Sequence, residues 1–278
     1  MILIADAGST KTSWCAIDKN SEKVFLQTKG INPYLQTNEE IISSLQKELL
    51  TNLNAEPIEQ VFFYGAGCNS VKIKENLHQI FVNTLKSENV EIESDLLAAA
   101  RSLLQNQAGI ACIIGTGSNS CFYDGIQCVK NVSPLGYILG DEGSGAVLGK
   151  ILISDFLKKQ MPDELYHSFA NKHQLTAEEV LNRVYKQPFP NRYLASFVPF
   201  LLENIAEPYA YNLVFDNFLL FFERNLTHYD YKNYEVNFVG SVAFHFRDVL
   251  EVAAYDFGLN LGIISSSPLE GLIDFHLR

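Results

Sequence analysis

The sequence predicts an α/β protein with two domains of similar topology. Three strands followed by alternating helices and strands occur once in each half of the chain. Each half also begins with a strand–turn–strand segment rich in glycine and small polar residues. The 278 residues are 47% hydrophobic and 19% charged, a composition typical of globular proteins large enough for one large or two moderate domains. We expect domains at residues 1–105, joined by 267–278, and at 106–266, with a cleft between them.

The first half is predicted to form five strands and three helices. Short apolar runs place the strands at residues 3–6, 13–17, 23–29, 60–65 and 90–93. Apolar residues at helical spacing place helices at 39–53 and 72–86. A further helix over 94–104 begins at Ser94 or Asp95, since both residue types cap helix N-termini.

The second half is predicted to begin in the same way. Its strands are placed at residues 109–115, 118–124, 126–130, 235–240 and 259–265. Asp124-Gly125 is typical of a tight hairpin turn. Helices are expected in the long stretch 143–222, at 243–258 and at 267–278, where Pro268 suits a first helical turn.

Charge and hydropathy exclude several classes of partner. The formal net charge of −11 opposes binding to a nucleic-acid backbone. No apolar run approaches the ~20 residues of a membrane-spanning helix, and the N-terminus lacks the pattern of a secretory signal. The five cysteines show no CxxC spacing and are expected to be reduced thiols. We therefore expect a cytoplasmic protein without nucleic-acid or membrane partners.

Two glycine-bearing turns are candidates for phosphate binding. The first, "DAGSTKT", and the second, "GTGS", each follow an apolar strand and precede another strand. Backbone N–H groups freed by glycine, together with small hydroxyl side chains, can bind an anion. Either turn alone is compatible with an ordinary hairpin, but two at matching positions favour a polyphosphate held from both sides. The residues predicted to bind it are Asp6, Gly8, Ser9, Thr10, Lys11, Thr12, Gly115, Thr116 and Gly117.

Two further positions extend this candidate nucleotide site. Asp6 ends its strand beside the first turn and suits Mg²⁺ held largely through water, although it could equally cap the turn. Gly240-Ser241 lies between a strand and a helix, where a nucleotide can approach the backbone. A plain strand-to-helix turn is the alternative for this pair.

Seven short segments resemble a known protein family. They are "ADAGSTKT", "GINPY", "GAGC", "ESDLLAAA", "IIGTGSNS", "GYILGDEGSG" and "VGSVA". In this order they resemble the actin/hexokinase/Hsp70 superfamily, and within it the N-acetylglucosamine kinase-like branch of the BadF/BadG/BcrA/BcrD ATPase family. The resemblance implies two ribonuclease H-like (actin-like ATPase) domains with mixed five-stranded sheets flanked by helices. It also implies ATP and Mg²⁺ as cofactors, a small-molecule sugar substrate and a homodimer.

The resemblance also implies roles for particular residues. Asp95 matches the acid that accepts the proton of the sugar hydroxyl, and capping of its helix is the alternative role. Because Asp95 stands at a predicted helix start, we expect its pKa to be lowered. Asp141, Asn32, Ser118 and Gly136 are the predicted sugar-binding residues. For Asp141 and Asn32, the alternatives are a helix cap and a turn residue.

The predicted function is transfer of the γ-phosphate of ATP to a hydroxyl, expected to be O6, of N-acetylglucosamine or a related amino sugar. One alternative is an activator of 2-hydroxyacyl-CoA dehydratases, a dimer holding a [4Fe–4S] cluster, for which Cys121 and Cys128 are candidate ligands. Another is a sugar or nucleotide sensor without catalytic activity, whose sequence signature would be loss of the acid at position 95; this chain has Asp95.

Overall fold

The computed structural model describes residues 1–8, 11–34, 36–53 and 56–277. The chain divides into two compact units, Met1–Asn106 with Pro268–Arg278, and Gln107–Ser267. Each unit contains a mixed five-stranded sheet with helices, which confirms the predicted fold class. Within the described ranges, no helix is long and apolar enough to cross a membrane.

The first unit is built on strands β1 to β5, in the spatial order β3-β2-β1-β4-β5. They span Ile2–Ala7, Lys11–Ile17, Lys23–Lys29, Gln60–Gly65 and Asn89–Ser94. Pairing is antiparallel from β1 to β2 and β3, and parallel from β1 to β4 and β5. The helices are α1 (Asn38–Ser44), α2 (Val71–Leu85), α3 (Asp95–Leu104) and the C-terminal helix α13 (Leu269–His276).

Both faces of this first sheet are covered, as the alternation of side chains along β4 shows. Phe63 belongs to a core cluster with Trp14 and Phe81, on the face covered by α1 and α2. Its neighbour Tyr64 points to the opposite face and packs with Leu272 of α13. Such alternation is the two-residue period of a strand buried on both sides.

The predicted helix over 39–53 is only partly regular. After α1 it continues as a π-helical segment, Leu45–Leu49, and a 3-10 turn, Leu50–Asn52. The wider π-helical turn still buries Leu45 and Leu49. The apolar spacing therefore located the buried face correctly but did not distinguish the type of helix.

The second unit repeats the topology with strands β6 to β10, in the order β10-β9-β6-β7-β8. They span Gly109–Ile114, Ser118–Tyr123, Cys128–Val132, Val236–Val239 and Leu261–Ser265. Its helices α4 to α12 span Gly136–Leu139, Gly145–Leu157, Asp163–His173, Ala177–Tyr185, Pro190–Ala195, Val198–Glu203, Pro208–Asn225, Ser241–His245 and Arg247–Phe257. Their buried aromatic side chains include Phe218, Phe221 and Phe222, and the rings of Phe221 and Phe222 pack against Phe238 of β9.

The structure corrects three predicted elements of this unit. The stretch 143–222 is several helices, three of which begin with a proline at the first or second position (Pro190, Pro199 and Pro208). The third strand starts at Cys128 rather than at 126, because Asp124 Oδ1 accepts the N–H groups of Ile126 and Gln127 and extends the turn. The predicted helix over 243–258 begins earlier and is two helices, α11 and α12.

Candidate functional site

In the first unit, Asp6 and Asp95 lie at the carboxyl ends of parallel strands of the sheet. Ala7 of β1 pairs with Gly65 of β4, which pairs in turn with Ser94 of β5. The segments that follow these strands therefore leave the same edge of the sheet. Asp6 and Asp95 consequently lie close enough for the negative charge of Asp95 to raise the pKa of Asp6.

Both residues of this pair are partly buried. Burial raises the pKa of Asp6 to about 7, with a further increase from Asp95 and a decrease from Lys11. Carboxylate oxygens are the ligands that Mg²⁺ prefers, and an ion held mainly by water and phosphate needs few protein ligands. The described residues contain no cluster of three or more potential metal-binding side chains. Ionised Asp6 would supply one oxygen ligand of the kind that Mg²⁺ prefers.

Asp95 differs from its prediction in one respect. Its pKa is raised, because desolvation by burial outweighs the hydrogen bonds from the backbone N–H groups of Leu96 and of Asp95 itself. The helix start lowers the pKa as expected, but it is the smaller effect. The N-cap is Ser94, whose Oγ accepts the N–H of Leu97 at 3.2 Å. Capping is thus performed by Ser94, and Asp95 occupies the first helical position.

The described residues on either side of the first glycine-bearing turn are joined by a hydrogen bond. The Gly8 N–H donates to the Lys11 carbonyl at 3.0 Å, and both residues are exposed. Ser9 and Thr10 lie outside the described residues. Thr12 does not fit its predicted role. Its fully buried hydroxyl donates to the Lys29 carbonyl at 3.2 Å and accepts the Ile31 N–H at 3.1 Å, so it supports the strands instead of contacting phosphate.

Asn32 lies in a loop that packs against the turn after β4. Its Oδ1 accepts the Tyr34 N–H at 3.0 Å, which is the turn role considered as the alternative. A Cβ atom added to Gly67, whose φ is +86°, would lie 2.7 Å from the Tyr34 ring and 3.1 Å from Asn32 Oδ1. Glycine at 67 therefore allows the two loops to touch. With Oδ1 used in the turn, Asn32 would contact a ligand through its Nδ2 donor.

In the second unit, the first turn of α5 is hydrogen-bonded to the second glycine-bearing turn, the hairpin of Gly115, Thr116 and Gly117. Within the hairpin, the Gly115 N–H donates to the Gly117 carbonyl at 2.9 Å. The N–H groups of Gly145 and Ala146 donate to the carbonyls of Gly115 and Thr116 at 2.8 and 3.0 Å. The free N–H groups of a helix start thereby fix the backbone of the hairpin.

Asp141 lies directly against this hairpin. A Cβ atom on Gly117 would lie 3.1 Å from Asp141 Oδ2, and Asp141 Oδ1 accepts the Ser118 N–H at 3.4 Å. Asp141 has a left-handed backbone (φ 55°), a conformation that Asp tolerates better than most residues. Burial raises its pKa to about 6, with a further increase from Glu142, while the Ser118 N–H and Lys150 lower it.

Three other residues of the "GYILGDEGSG" segment have positions different from that of Asp141. Glu142 is buried and forms an ion pair with Arg224, with Oε1 2.7 Å from Nε. The predicted helix-cap role belongs to Ser144, whose Oγ accepts the Val147 N–H. Gly136 is exposed at the start of α4 with a φ of +73°, and it lies five residues before Asp141.

A cavity of about 440 Å³ adjoins the second hairpin. Its lining residues are Gly115, Thr116, Gly145, Ala195, Val198, Pro199, Leu202, Ser241, Val242, His245 and Phe246. Gly240 has a φ of +129°, and a Cβ atom there would lie 2.3 Å from the Ile114 carbonyl oxygen, so only glycine fits beside the hairpin. The structure thus places Ser241 and the hairpin at one cavity.

The sequence analysis missed the opposite wall of this cavity. Ala195, Val198, Pro199 and Leu202 belong to α8 and α9, within a stretch in which no motif was recognised. A signal was available in "GSGAVLG", since Gly145 and Gly149 are four residues apart on one helix face. A Cβ atom on Gly149 would lie 1.9 Å from the Leu194 carbonyl oxygen, which shows how closely α8 approaches α5.

The candidate iron ligands form a pair of thiols on neighbouring strands. The Sγ atoms of Cys121 and Cys128 are 3.2 Å apart across β7 and β8. Cys121 is buried and Cys128 is partly exposed. The two candidate ligands are therefore in contact with each other within one chain.

The comparison with solved structures decides the family. A crystal structure of a protein from Porphyromonas gingivalis, named "putative N-acetylglucosamine kinase", is 45% identical over 99% of this chain and 98% of that chain, with a TM-score of 0.95. The chain belongs to the N-acetylglucosamine kinase-like branch of the BadF/BadG/BcrA/BcrD ATPase family. The family resemblance seen in the motifs is thereby confirmed.

More distant members of this fold also match over the whole chain. A protein of the same name from Chromobacterium violaceum is 16% identical, covers 99% of this chain and 98% of that chain, and has a TM-score of 0.71. A ROK family protein from Streptococcus pneumoniae, in complex with sucrose, is 12% identical with the same coverage and a TM-score of 0.53. These two matches show the actin-like fold alone. No protein-family model and no curated protein matches the chain.

Proposed function

We propose that the protein is an ATP-dependent sugar kinase that phosphorylates N-acetylglucosamine or a related amino sugar at a hydroxyl, most simply O6. The observation that carries the proposal is Asp95. Its carboxyl group is not needed as the helix cap, its pKa is raised by burial, and it lies near Asp6 at the carboxyl edge of the sheet. The name of the P. gingivalis relative supports the same substrate class.

Asp95 would act as the proton acceptor. A carboxylate whose pKa is raised is a stronger base than an ordinary carboxylate, provided that it is ionised at the working pH. It would orient the sugar hydroxyl and take its proton as the hydroxyl oxygen bonds to the γ-phosphorus. The bond between that phosphorus and the β–γ bridging oxygen breaks in the same step, and ADP is the leaving group. Because phosphoryl transfer has a loose transition state, orientation of the hydroxyl contributes more than early proton removal.

In the second unit, the nucleotide would be bound by the glycine-bearing hairpin and the cavity beside it; in the first unit, the other glycine-bearing turn is a candidate phosphate-binding segment. The apolar wall from α8 and α9 suits the flat face of a nucleoside, and Ser241 lines the same cavity. Gly8, Lys11, Gly115, Thr116 and Gly117 would contact the phosphates. Asp6 would hold Mg²⁺, which neutralises charge on the transferred phosphoryl group when it is bound.

Sugar recognition would depend on Asp141, Asn32, Ser118 and Gly136. Asp141 can accept hydrogen bonds from sugar hydroxyls, and its position against Gly117 couples it to the second hairpin. Nδ2 of Asn32 can donate to a hydroxyl or to an acetamido carbonyl oxygen. We also propose that the enzyme is a cytoplasmic homodimer whose two domains correspond to the two units.

A coupled assay of ADP release over hexoses and N-acetylhexosamines tests this function. We expect turnover that depends on both Mg²⁺-ATP and an amino sugar. Asp95→Asn should lower kcat by about 10²-fold or more while sugar binding is retained. Asp274→Asn, on an exposed position of α13, is the matched control and should be unaffected. Absence of sugar-dependent turnover across the panel, or full activity of Asp95→Asn, would refute the proposal.

A further inference from the structure

A lysine on α5 contacts the short segment that precedes Asp141. Lys150 Nζ donates to the Tyr137 carbonyl oxygen at 2.8 Å, and Tyr137 lies within the four-residue helix α4. This helix stands between two residues with left-handed backbones, Leu135 (φ 60°) and Asp141 (φ 55°). The Asp141 N–H donates to the Pro134 carbonyl at 2.9 Å, so the residues before and after α4 are hydrogen-bonded to each other.

The segment has little apolar burial of its own. Leu135, Ile138 and Leu139 are 59%, 72% and 68% exposed. A Cβ atom on Gly140 would lie 2.1 Å from the Pro134 carbonyl oxygen, so the backbone is tightly folded. A compact turn with left-handed residues at both ends and exposed apolar side chains depends on polar contacts for its position.

We propose that Lys150 is a positioning residue for sugar recognition, which holds α4 in place and thereby sets the position of the Asp141 carboxylate against Gly117. This inference rests on the proposed function, because it assigns to Asp141 a contact with the sugar. Lys150 itself lies one turn beyond the segment of α5 that holds the hairpin, and it acts through the Tyr137 carbonyl oxygen.

The ammonium group has a second, electrostatic effect on the same carboxylate. The groups that act on Asp141 are the Ser118 N–H, the Lys150 ammonium and the Glu142 carboxylate, which is paired with Arg224. Lys150 lowers the pKa of Asp141, whereas burial and Glu142 raise it to about 6. Loss of the ammonium group should therefore raise the pKa of Asp141 and leave less of it ionised near neutral pH.

Three variants separate this role from a general effect of lysine removal. Lys150→Met removes the donor and the charge, whereas Lys150→Arg keeps both. Lys158→Met is the matched control, because Lys158 caps the C-terminus of the same helix and lines the same cavity, of about 530 Å³, as Lys150 and Tyr137. For Lys150→Met we expect the sugar KM to rise about fivefold, with kcat and the KM for ATP within twofold of wild type. Lys150→Arg and Lys158→Met should resemble wild type.

The pH profile distinguishes the tether from the charge. In Lys150→Met, the acid limb of kcat/KM for the sugar should move to higher pH. At pH 8.5, where Asp141 is ionised in either protein, the increase in KM that remains reports the tether. An unchanged sugar KM in Lys150→Met, or an equal increase in Lys158→Met, would overturn the proposal.

Hydrogen exchange tests the tether without catalysis. The Gly140 N–H donates to Gly136 and the Asp141 N–H to Pro134, so both amides should exchange faster in Lys150→Met. If the wild-type protein turns over no sugar, the proposed function fails, while hydrogen exchange still shows whether Lys150 holds the segment. Unchanged exchange of these amides in Lys150→Met would overturn the tether itself.

Discussion

Replacing Gly149 by alanine tests a very close approach between two helices of the second unit. Gly149 lies inside α5, where a Cβ atom would be 1.9 Å from the Leu194 carbonyl oxygen and 2.5 Å from its carbonyl carbon. Real Cβ atoms keep at least 3.0 Å from such atoms, so α5 and α8 would have to separate by about 1.1 Å. The obstacle is backbone, which cannot turn away as a flexible side chain can.

Two effects of opposite sign determine the expected stability change. Alanine is favoured over glycine inside a helix by about 1 kcal/mol. Overpacking of a well-packed contact costs about 1–3 kcal/mol, and displacement of backbone belongs at the upper end of that range. We therefore expect a net loss of about 2 kcal/mol in the free energy of unfolding. The sign decides the test, because without the close approach the substitution would stabilise the protein.

Urea unfolding followed by far-ultraviolet circular dichroism measures this change. Gly258→Ala is the control, since its φ of +77° causes strain while a Cβ atom there meets no atom within 4 Å. That strain should cost about 1–2 kcal/mol from the left-handed backbone alone. Because Ala195 follows Leu194 and lines the cavity, Gly149→Ala should also raise the KM for ATP. A Gly149→Ala protein as stable as wild type, or more stable, would refute this helix contact.

Three further predictions concern pH, the hairpin and iron. Burial lowers the pKa of His276 from 6.5 to about 4, so its contribution to stability should be complete above pH 6.5 and fall by about 1–2 kcal/mol towards pH 4, allowing for partial exposure. The raised pKa values of Asp6 and Asp141 act in the opposite direction over this range, so the effect of His276 is the difference in the free energy of unfolding between wild type and His276→Gln. Urea unfolding followed by the fluorescence of Trp14, the single tryptophan, measures this difference, and an equal pH dependence of the two proteins would contradict it. Gly117→Ala should raise the sugar KM, because the new Cβ atom would lie 3.1 Å from Asp141 Oδ2 and the carboxylate must shift. An unchanged sugar KM would contradict a contact between Asp141 and the sugar. Anaerobically purified protein should contain no iron, and stoichiometric iron would favour the activator alternative.

The fold was predictable because each half of the chain alternates clearly between strand and helix patterns. The apolar runs at β4 and β6 place strands that are almost entirely buried, and the turn at Asp124-Gly125 was found where it was expected. Helix types and divisions were harder to predict. The π-helical turn at Leu45–Leu49 and the restarts at proline in the long helical stretch depend on packing, which periodicity does not record.

The candidate site was predictable where a backbone requirement leaves a mark in the sequence. A side chain at Gly240 would collide with the Ile114 carbonyl oxygen, and a Cβ atom at Gly117 would lie tightly, at 3.1 Å, against Asp141; both glycines were selected from their motifs. Thr12 was misassigned, because its position in the motif does not reveal that its hydroxyl is used between strands. The pKa of Asp95 was wrong in direction, since burial is a property of the assembled sheet edge.

The fold separates structural carboxylates from candidate functional ones. Glu91 and Glu93 both lie on β5, the strand that leads to Asp95. Glu91 forms an ion pair with Arg101 of α3, and Glu93 forms one with Lys74 of α2. The charges of these two carboxylates are therefore balanced by neighbouring helices, as expected for carboxylates with a structural role.

Asp6, Asp95 and Asp141 show the opposite pattern. In each of them desolvation is the largest influence, and it raises the pKa of the carboxyl group. Burial of a carboxyl group under these conditions costs stability, and perturbed carboxyl groups concentrate at functional sites for this reason. A bound cation and sugar hydroxyl groups would supply the solvation that the protein withholds, so the cost of burying these three groups is most simply explained by the ligands they are placed to meet.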